Sequence, residues 1–193
     1  MFAFLRQLGT GVRTLLALTV LLGLGYPLLL LGVGQLVTPA QAGGSLLQRD
    51  GQVVGSALIG QRFDGDQWFA GRPSAADYDA LASGASNLGP SDPDLLAEIG
   101  ARRAAVARRE SVAENQVPPD AVTASGSGLD PYISPEYATL QAPRVAAARR
   151  VSVEVVERLV ADHARGRDLG FLGAPRVNVT TLNLALGSLR AGQ

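Results

Sequence analysis

His163 is the only histidine in the chain, and therefore the only imidazole able to shuttle a proton near neutral pH. Nucleophilic catalysis through it would need a positioned serine and an orienting acid, and no G-x-S-x-G elbow occurs to supply that serine. His163 sits near the C-terminal end of the run SVEVVERLVADHA, where a helix leaves free carbonyls, so its expected role is structural. The sequence has no Lys and no Cys. That removes the Walker A phosphate loop, Schiff-base chemistry, and thiol catalysis, disulfides and cysteine-built zinc sites. Asp64 and Asp66 lack the rest of a calcium-loop pattern and predict a plain turn. The Ser/Gly/Asn clusters from Ser83 to Leu88 and from Ser125 to Leu129 have the composition of backbone anion cradles, and equally of ordinary turns. Arg72 beside Pro73 is a candidate for a buried or partner-contacting guanidinium. No catalytic constellation and no metal-ligand set emerges.

These residues are carried by a chain of two unlike parts. Thr14 to Val37 is 24 residues without an acidic or basic side chain. As a helix it reaches about 36 Å, enough to cross a hydrocarbon core of ~30 Å with some tilt. Ala40-Gln41-Ala42 has the form of a signal-peptide cleavage site. The apolar run exceeds the usual signal length of ~7–15 residues, however, so a retained anchor is expected. Arg6 and Arg13 precede the run and no acid does, which by the positive-inside rule predicts residues 1–13 in the cytoplasm, a transmembrane helix at 14–37, and an extracytoplasmic soluble domain at 38–193. Pro27 frees a backbone carbonyl in mid-helix, and Thr19 with Gly23 makes a small-residue pair suited to another helix. Beyond Val37, 15 Arg stand against 17 Asp plus Glu, which is not a nucleic-acid-binding balance.

Within the domain, Gly43 to Gln61 predicts short strands split by turns, with Asp50-Gly51 the strongest turn signal and Val53-Val54 and Ala57-Leu58-Ile59 the β-prone stretches. Tyr78 to Pro90 has no helical or strand period and predicts a loop. Asp92 as cap and Pro93 at the first helical position open a helix to about Glu110. Its expected apolar side carries Leu95, Leu96, Ile99 and Val106, and its solvated face Arg102, Arg103, Arg108 and Arg109. Val117-Pro118-Pro119-Asp120 breaks the chain, and a Ser/Gly-rich turn region ends at Asp130-Pro131. Ser134-Pro135-Glu136 starts a short helix, Pro143 starts another to about Arg150, and Ser152 caps a third striped by Val153, Val156, Leu159 and Val160. Val177 and Val179 predict a strand, and Thr180 to Leu189 a closing helix. The fold class is α+β: a single N-terminal transmembrane helix followed by one soluble domain with short strands first and several helices later.

Ordered strings carry a resemblance. Gly55-Ser56-Ala57-Leu58-Ile59-Gly60-Gln61, Gly71-Arg72-Pro73-Ser74, Ser83-Gly84-Ala85-Ser86-Asn87-Leu88, the stretch from Val122 to Asp130, Gln141 to Ala146, Pro175 to Val179 and Leu182 to Leu186 together resemble the C subunit of the Kdp potassium-transporting P-type ATPase. Ala85, where that family more often has Gly, is a small departure. The resemblance implies a noncatalytic subunit of a high-affinity, ATP-driven potassium uptake pump in the cell membrane. It implies a channel-like potassium-binding subunit and an ATP-hydrolysing P-type subunit as partners, with membrane lipid around the helix and no nucleic acid. It also implies support of assembly and a catalytic-chaperone effect on ATP affinity. ATP and potassium would be used by the whole complex and neither is expected to be bound directly here; the D-K-T-G-T phosphorylation motif is excluded by the missing Lys. Candidate partner-contact or structural signature residues are Arg72, Pro73, Ser74, Ser86, Asn87, Ser125, Asp130, Pro143, Arg144 and Asn183. The alternative is a membrane-anchored or secreted extracytoplasmic ligand-binding protein acting alone.

Overall fold

The computed structural model describes residues 2–189, which form two compact units, one up to Leu46 and one from Leu47 onward. Residues 1 and 190–193, the outer ends of the expected N-terminal segment and domain, lie outside the described residues.

In the first unit, α1 (Phe2–Val20), a π-helical turn (Leu21–Gly25) and α2 (Tyr26–Val37) run on as one apolar helix of 36 residues. It is long and apolar enough to cross a membrane. It begins before Arg6 and Arg13, so both arginines ride on the helix rather than ahead of it. The π turn answers Pro27. A proline has no N–H, and its ring crowds the carbonyl four residues back, here that of Gly23. The wider turn hands the Tyr26 N–H to the Leu21 carbonyl, five residues back. The short α3 (Pro39–Ala42) follows.

In the second unit, β1 (Leu46–Arg49) and β2 (Gln52–Ser56) pair across Asp50-Gly51. Both turn residues hold positive φ, 52° and 78°, as a two-residue hairpin loop requires. Ala57-Leu58-Ile59, expected in a strand, is a turn. The Leu58 N–H donates to Ser56 Oγ (3.1 Å) and the Ala57 carbonyl accepts from Asn178 Nδ2 (2.7 Å), bonds that compete with a ladder. After a long loop, α4 (Pro93–Glu110) starts at the predicted cap, with the Asp92 carboxylate accepting the Asp94 N–H at 2.9 Å. Its apolar face is narrower than the sequence suggests: Ala107 is buried, Leu95, Ile99 and Val106 are half-buried, and Leu96 is 57% exposed. Of its arginines, Arg108 and Arg109 are exposed, as expected of a solvated face, while Arg102 is half-buried and donates to Val122 O (3.3 Å). The exposed Arg109 also reaches Gly65 O (3.1 Å). Two 3-10 turns, Glu114–Gln116 and Pro119–Ala121, mark the predicted break.

The domain closes with β3 (Tyr132–Ile133), α5 (Pro135–Arg149), α6 (Val153–His163), β4 (Ala164–Arg165), β5 (Arg176–Asn178) and α7 (Val179–Leu186). The sheet is antiparallel in the order β3-β5-β4, with Ile133 and Ala164 both opposite Val177. All three helices pack against β5, and α6 packs on both α5 and α7. Val145, Val156, Val177, Leu182 and Leu186 are fully buried there, each stabilising by about 1.5–3 kcal/mol relative to exposure. Pro143 lies inside α5 and does not start a new helix. It faces solvent while Ala138, Gln141, Ala142, Val145 and Ala146 face the core, and packing outweighs its local cost of about 3 kcal/mol. Val179 opens α7 instead of extending the strand, because Asn178 Oδ1 accepts the Thr181 N–H (3.0 Å) as a cap. Ser152 occupies the cap position of α6, but its side chain makes no capping bond to the backbone. Its hydroxyl instead joins the Glu154 N–H, the stronger influence, in holding the Glu154 carboxyl below its ordinary pKa. His163 ends α6 and donates Nδ1–H to Leu159 O at 2.8 Å.

Candidate functional site

Half of the singled-out polar residues, Arg72, Ser74, Ser125 and Asp130, converge on one interlocked loop cluster whose hub is the segment from Val122 to Asp130. Arg72 enters it as a fork. Its Nη1 pairs with Asp130 Oδ2 (3.2 Å), its Nε and Nη2 reach Thr123 O (both 3.3 Å), and Nη2 also reaches Ala124 O (3.4 Å). Ser74 Oγ donates to Gly128 O (2.6 Å) and accepts the N–H groups of Ala76 (3.2 Å) and Tyr78 (2.9 Å). The buried Ser125 gives its N–H to Pro73 O (3.2 Å). Tyr78 closes the fork by donating its hydroxyl to Arg72 O (2.6 Å). Burial first, then the Asp130 charge, pushes that phenol up to about 12 against the opposing pull of Arg72. Gly60 and Gly84 add their N–H groups to Leu129 O (2.7 Å) and Ser127 O (2.9 Å). Gly128 must be glycine: its φ is +69°, and a Cβ there would stand 2.9 Å from Gly84 O. Four of the seven strings are thus bound into one object.

Asn183 and Arg144, together with Gln141, build a clamp on the segment before Arg72. Phe69 donates its N–H to Asn183 Oδ1 and accepts from Asn183 Nδ2, both at 2.9 Å. Ala70 does the same with Gln141, at 2.7 and 3.1 Å. Two buried side-chain amides therefore satisfy consecutive peptide groups as a neighbouring strand would. Arg144 braces the clamp through Gln141 Oε1 (2.9 Å), Asp66 O (2.6 Å), Trp68 O (3.1 Å) and a two-oxygen contact with Glu110 (2.9 and 3.0 Å). Pro143 lies on the outer face of the same helix.

Ser86 and Asn87 stand apart from both groups. They are exposed at the loop tip, with Asn87 at φ +56° and its amide on Ala85 O (3.2 Å). Sequence reasoning assigns no role to Glu110, Gln141 or Tyr78. No local signal marks Glu110, whose partner is 34 residues away. Gln141 does carry a signal, a polar residue on an otherwise apolar helix side beside Ala138, Ala142 and Val145. Chemically, the arrangement spends its donors and acceptors internally and fixes the shape of a surface.

Comparison with known proteins agrees over nearly the whole length. The family model described as "KdpC: K+-transporting ATPase, c chain" matches residues 8–188. Proteins named "Potassium-transporting ATPase KdpC subunit" are similar to this chain in Kineococcus radiotolerans, at 60% identity over 95% of this chain and 94% of the relative. In Mycobacterium tuberculosis the figures are 54%, 95% and 99%, and in Gemmatimonas aurantiaca 56%, 91% and 89%. The chain belongs to the KdpC family of K+-transporting ATPase c chains.

Proposed function

We propose that this chain is the noncatalytic subunit of an ATP-driven potassium uptake pump, held in the cell membrane by its single apolar helix. Its partners are a channel-like potassium-binding subunit and an ATP-hydrolysing P-type subunit, and it supports the stability of their complex. ATP and potassium are handled by those subunits. Any rise in ATP affinity reaches the hydrolytic subunit through the complex, because Arg6 and Arg13 favour a cytoplasmic N-terminus and leave the domain on the opposite side from ATP. The observation that carries this reading is the interlocked cluster with the clamp beside it: Arg72, Ser74 and Asp130 in the first and Arg144 and Asn183 in the second hold loops and present a rigid face. Family membership favours it over a solitary ligand-binding protein.

The test is a truncation keeping residues 1–45 and removing the domain, co-expressed with the partner subunits. The expected outcome is loss of the complex on detergent extraction, or loss of high-affinity potassium uptake. Normal assembly and transport by the truncated chain would refute the proposal.

A further inference from the structure

Beside the amide clamp, two guanidiniums meet around the single tryptophan. The Arg149 guanidinium lies 4.3 Å from the centre of the Trp68 ring. It donates through Nε to Gln67 O (2.9 Å) and through Nη1 to Leu186 O (3.2 Å), while Arg49 donates Nη2 to Gly187 O (2.7 Å). Both therefore gather at the carbonyls that end α7. Those acceptors are neutral and take few of the N–H donors that two guanidiniums offer. Arg72, Arg102, Arg144 and Arg176 each face a carboxylate, whereas among the described residues Arg49 and Arg149 face none. Burial, and after it the charge of Arg49, holds Arg149 below the ordinary arginine pKa. Two like charges thus share one short stretch of surface.

A cleft of about 440 Å³ runs along Arg49, Trp68 and Arg149. A second of about 160 Å³, lined by Leu47, Val54, Phe63 and Leu184, shares Arg49 and Trp68 with it. A cavity of about 150 Å³ holds a benzene-sized group. The smaller cleft thus has the volume of one apolar side chain.

We propose that Arg49, Arg149 and Trp68, with the adjoining apolar cleft, form a docking site for a partner polypeptide segment in which an acidic residue is followed by one apolar side chain. The carboxylate takes charge-assisted hydrogen bonds from the two guanidiniums, and the apolar side chain fills the cleft. The source of that segment, a partner subunit, rests on the pump reading; the binding chemistry does not.

Because the chain has one Trp, its fluorescence reports this site directly. The full-length chain in detergent is titrated with acetyl-Glu-Leu-amide. The expected result is a saturable change that weakens about tenfold or more for acetyl-Gln-Leu-amide and in Arg49→Gln, and less in Arg49→Lys. Arg49 makes one carbonyl bond, and a thermal melt of each variant checks that it folds. No saturable change, or an equal response to the Gln peptide, overturns the proposal. So does an equal response to inorganic phosphate, which means a free-oxyanion site, or a stronger one to phosphatidylglycerol in mixed micelles, which means a lipid site. In the co-expressed complex, Arg49→Glu should lower recovery of the chain with its partners about tenfold; unchanged recovery overturns the assigned occupant. If the wild-type chain itself is recovered alone, the pump reading fails, while the peptide titration still decides the binding chemistry by itself.

Discussion

The side chain with most at stake is Arg144. It and Glu110 are 9% and 1% exposed, so the pair is out of water and bound in two-oxygen geometry. Removing one partner of such a pair strands the other charge, at about 3–5 kcal/mol. Arg144→Met should therefore lower the unfolding free energy by about that much in a denaturant titration. The double variant with Glu110→Gln should recover part of the loss, since no charge is then left buried. Tyr78 adds a pH signature. Its folded pKa of about 12, raised chiefly by burial, lies above the unfolded value near 10. The protonated phenol thus contributes fully below about pH 10, and the contribution is lost as pH rises through about 12. Tyr137, likewise at about 12 and chiefly through burial, shares that window. Tyr78→Phe should flatten part of the fall in stability between about pH 10 and 12. It should also cost about 1 kcal/mol at neutral pH for the lost bond to Arg72 O.

At the scale of elements, the start of α5 is the best place to measure what a cap contributes. Ser134 Oγ accepts the Tyr137 N–H (3.0 Å) and donates to Asp120 Oδ1 (2.9 Å), while Ser134 N–H goes to Asp120 Oδ2 (2.7 Å). Ser134→Ala should cost about 1–2 kcal/mol in the same titration, near the top of the range for caps, because Asp120 loses a donor as well. Ser134-Pro135, Asp92-Pro93 and the Asp50-Gly51 hairpin are legible in the sequence for one reason: their bonds close within a few residues. What is not legible depends on distant partners. The turn at Ala57–Ile59 answers to Asn178 and Thr180, and the run of α5 through Pro143 to the core beneath it. The candidate site divides the same way. Arg72, Ser74, Asp130, Arg144 and Asn183 can be picked out as residues, yet the partners that bring them together lie 54 to 114 positions away for Ser74, Arg72, Asp130 and Asn183, and as far as 78 for Arg144. Trp68 and Arg149 give no sign of meeting, since a lone aromatic and a helix-end arginine carry no mutual spacing rule.

For the whole molecule, orientation decides what the domain can touch. A chain with one crossing puts the segment around Gln7 and the loop around Ser86 on opposite sides, and the balance of Arg6 and Arg13 against no acid predicts which. Both positions are exposed in the fold, and the absence of Cys means a single introduced thiol is the only one present. In intact spheroplasts, Ser86→Cys should react with a membrane-impermeant maleimide, and Gln7→Cys should react only after the membrane is ruptured. The reverse pattern would place the domain beside ATP and make direct nucleotide contact the first mechanism to test. Labelling of both before rupture would mean that the apolar helix does not cross at all, which its length and composition argue against. The expected pattern would instead confine the influence of the domain on ATP hydrolysis to forces carried through the membrane helices. The π turn before Pro27 and the Thr19/Gly23 pair are where this chain's own helix would meet them.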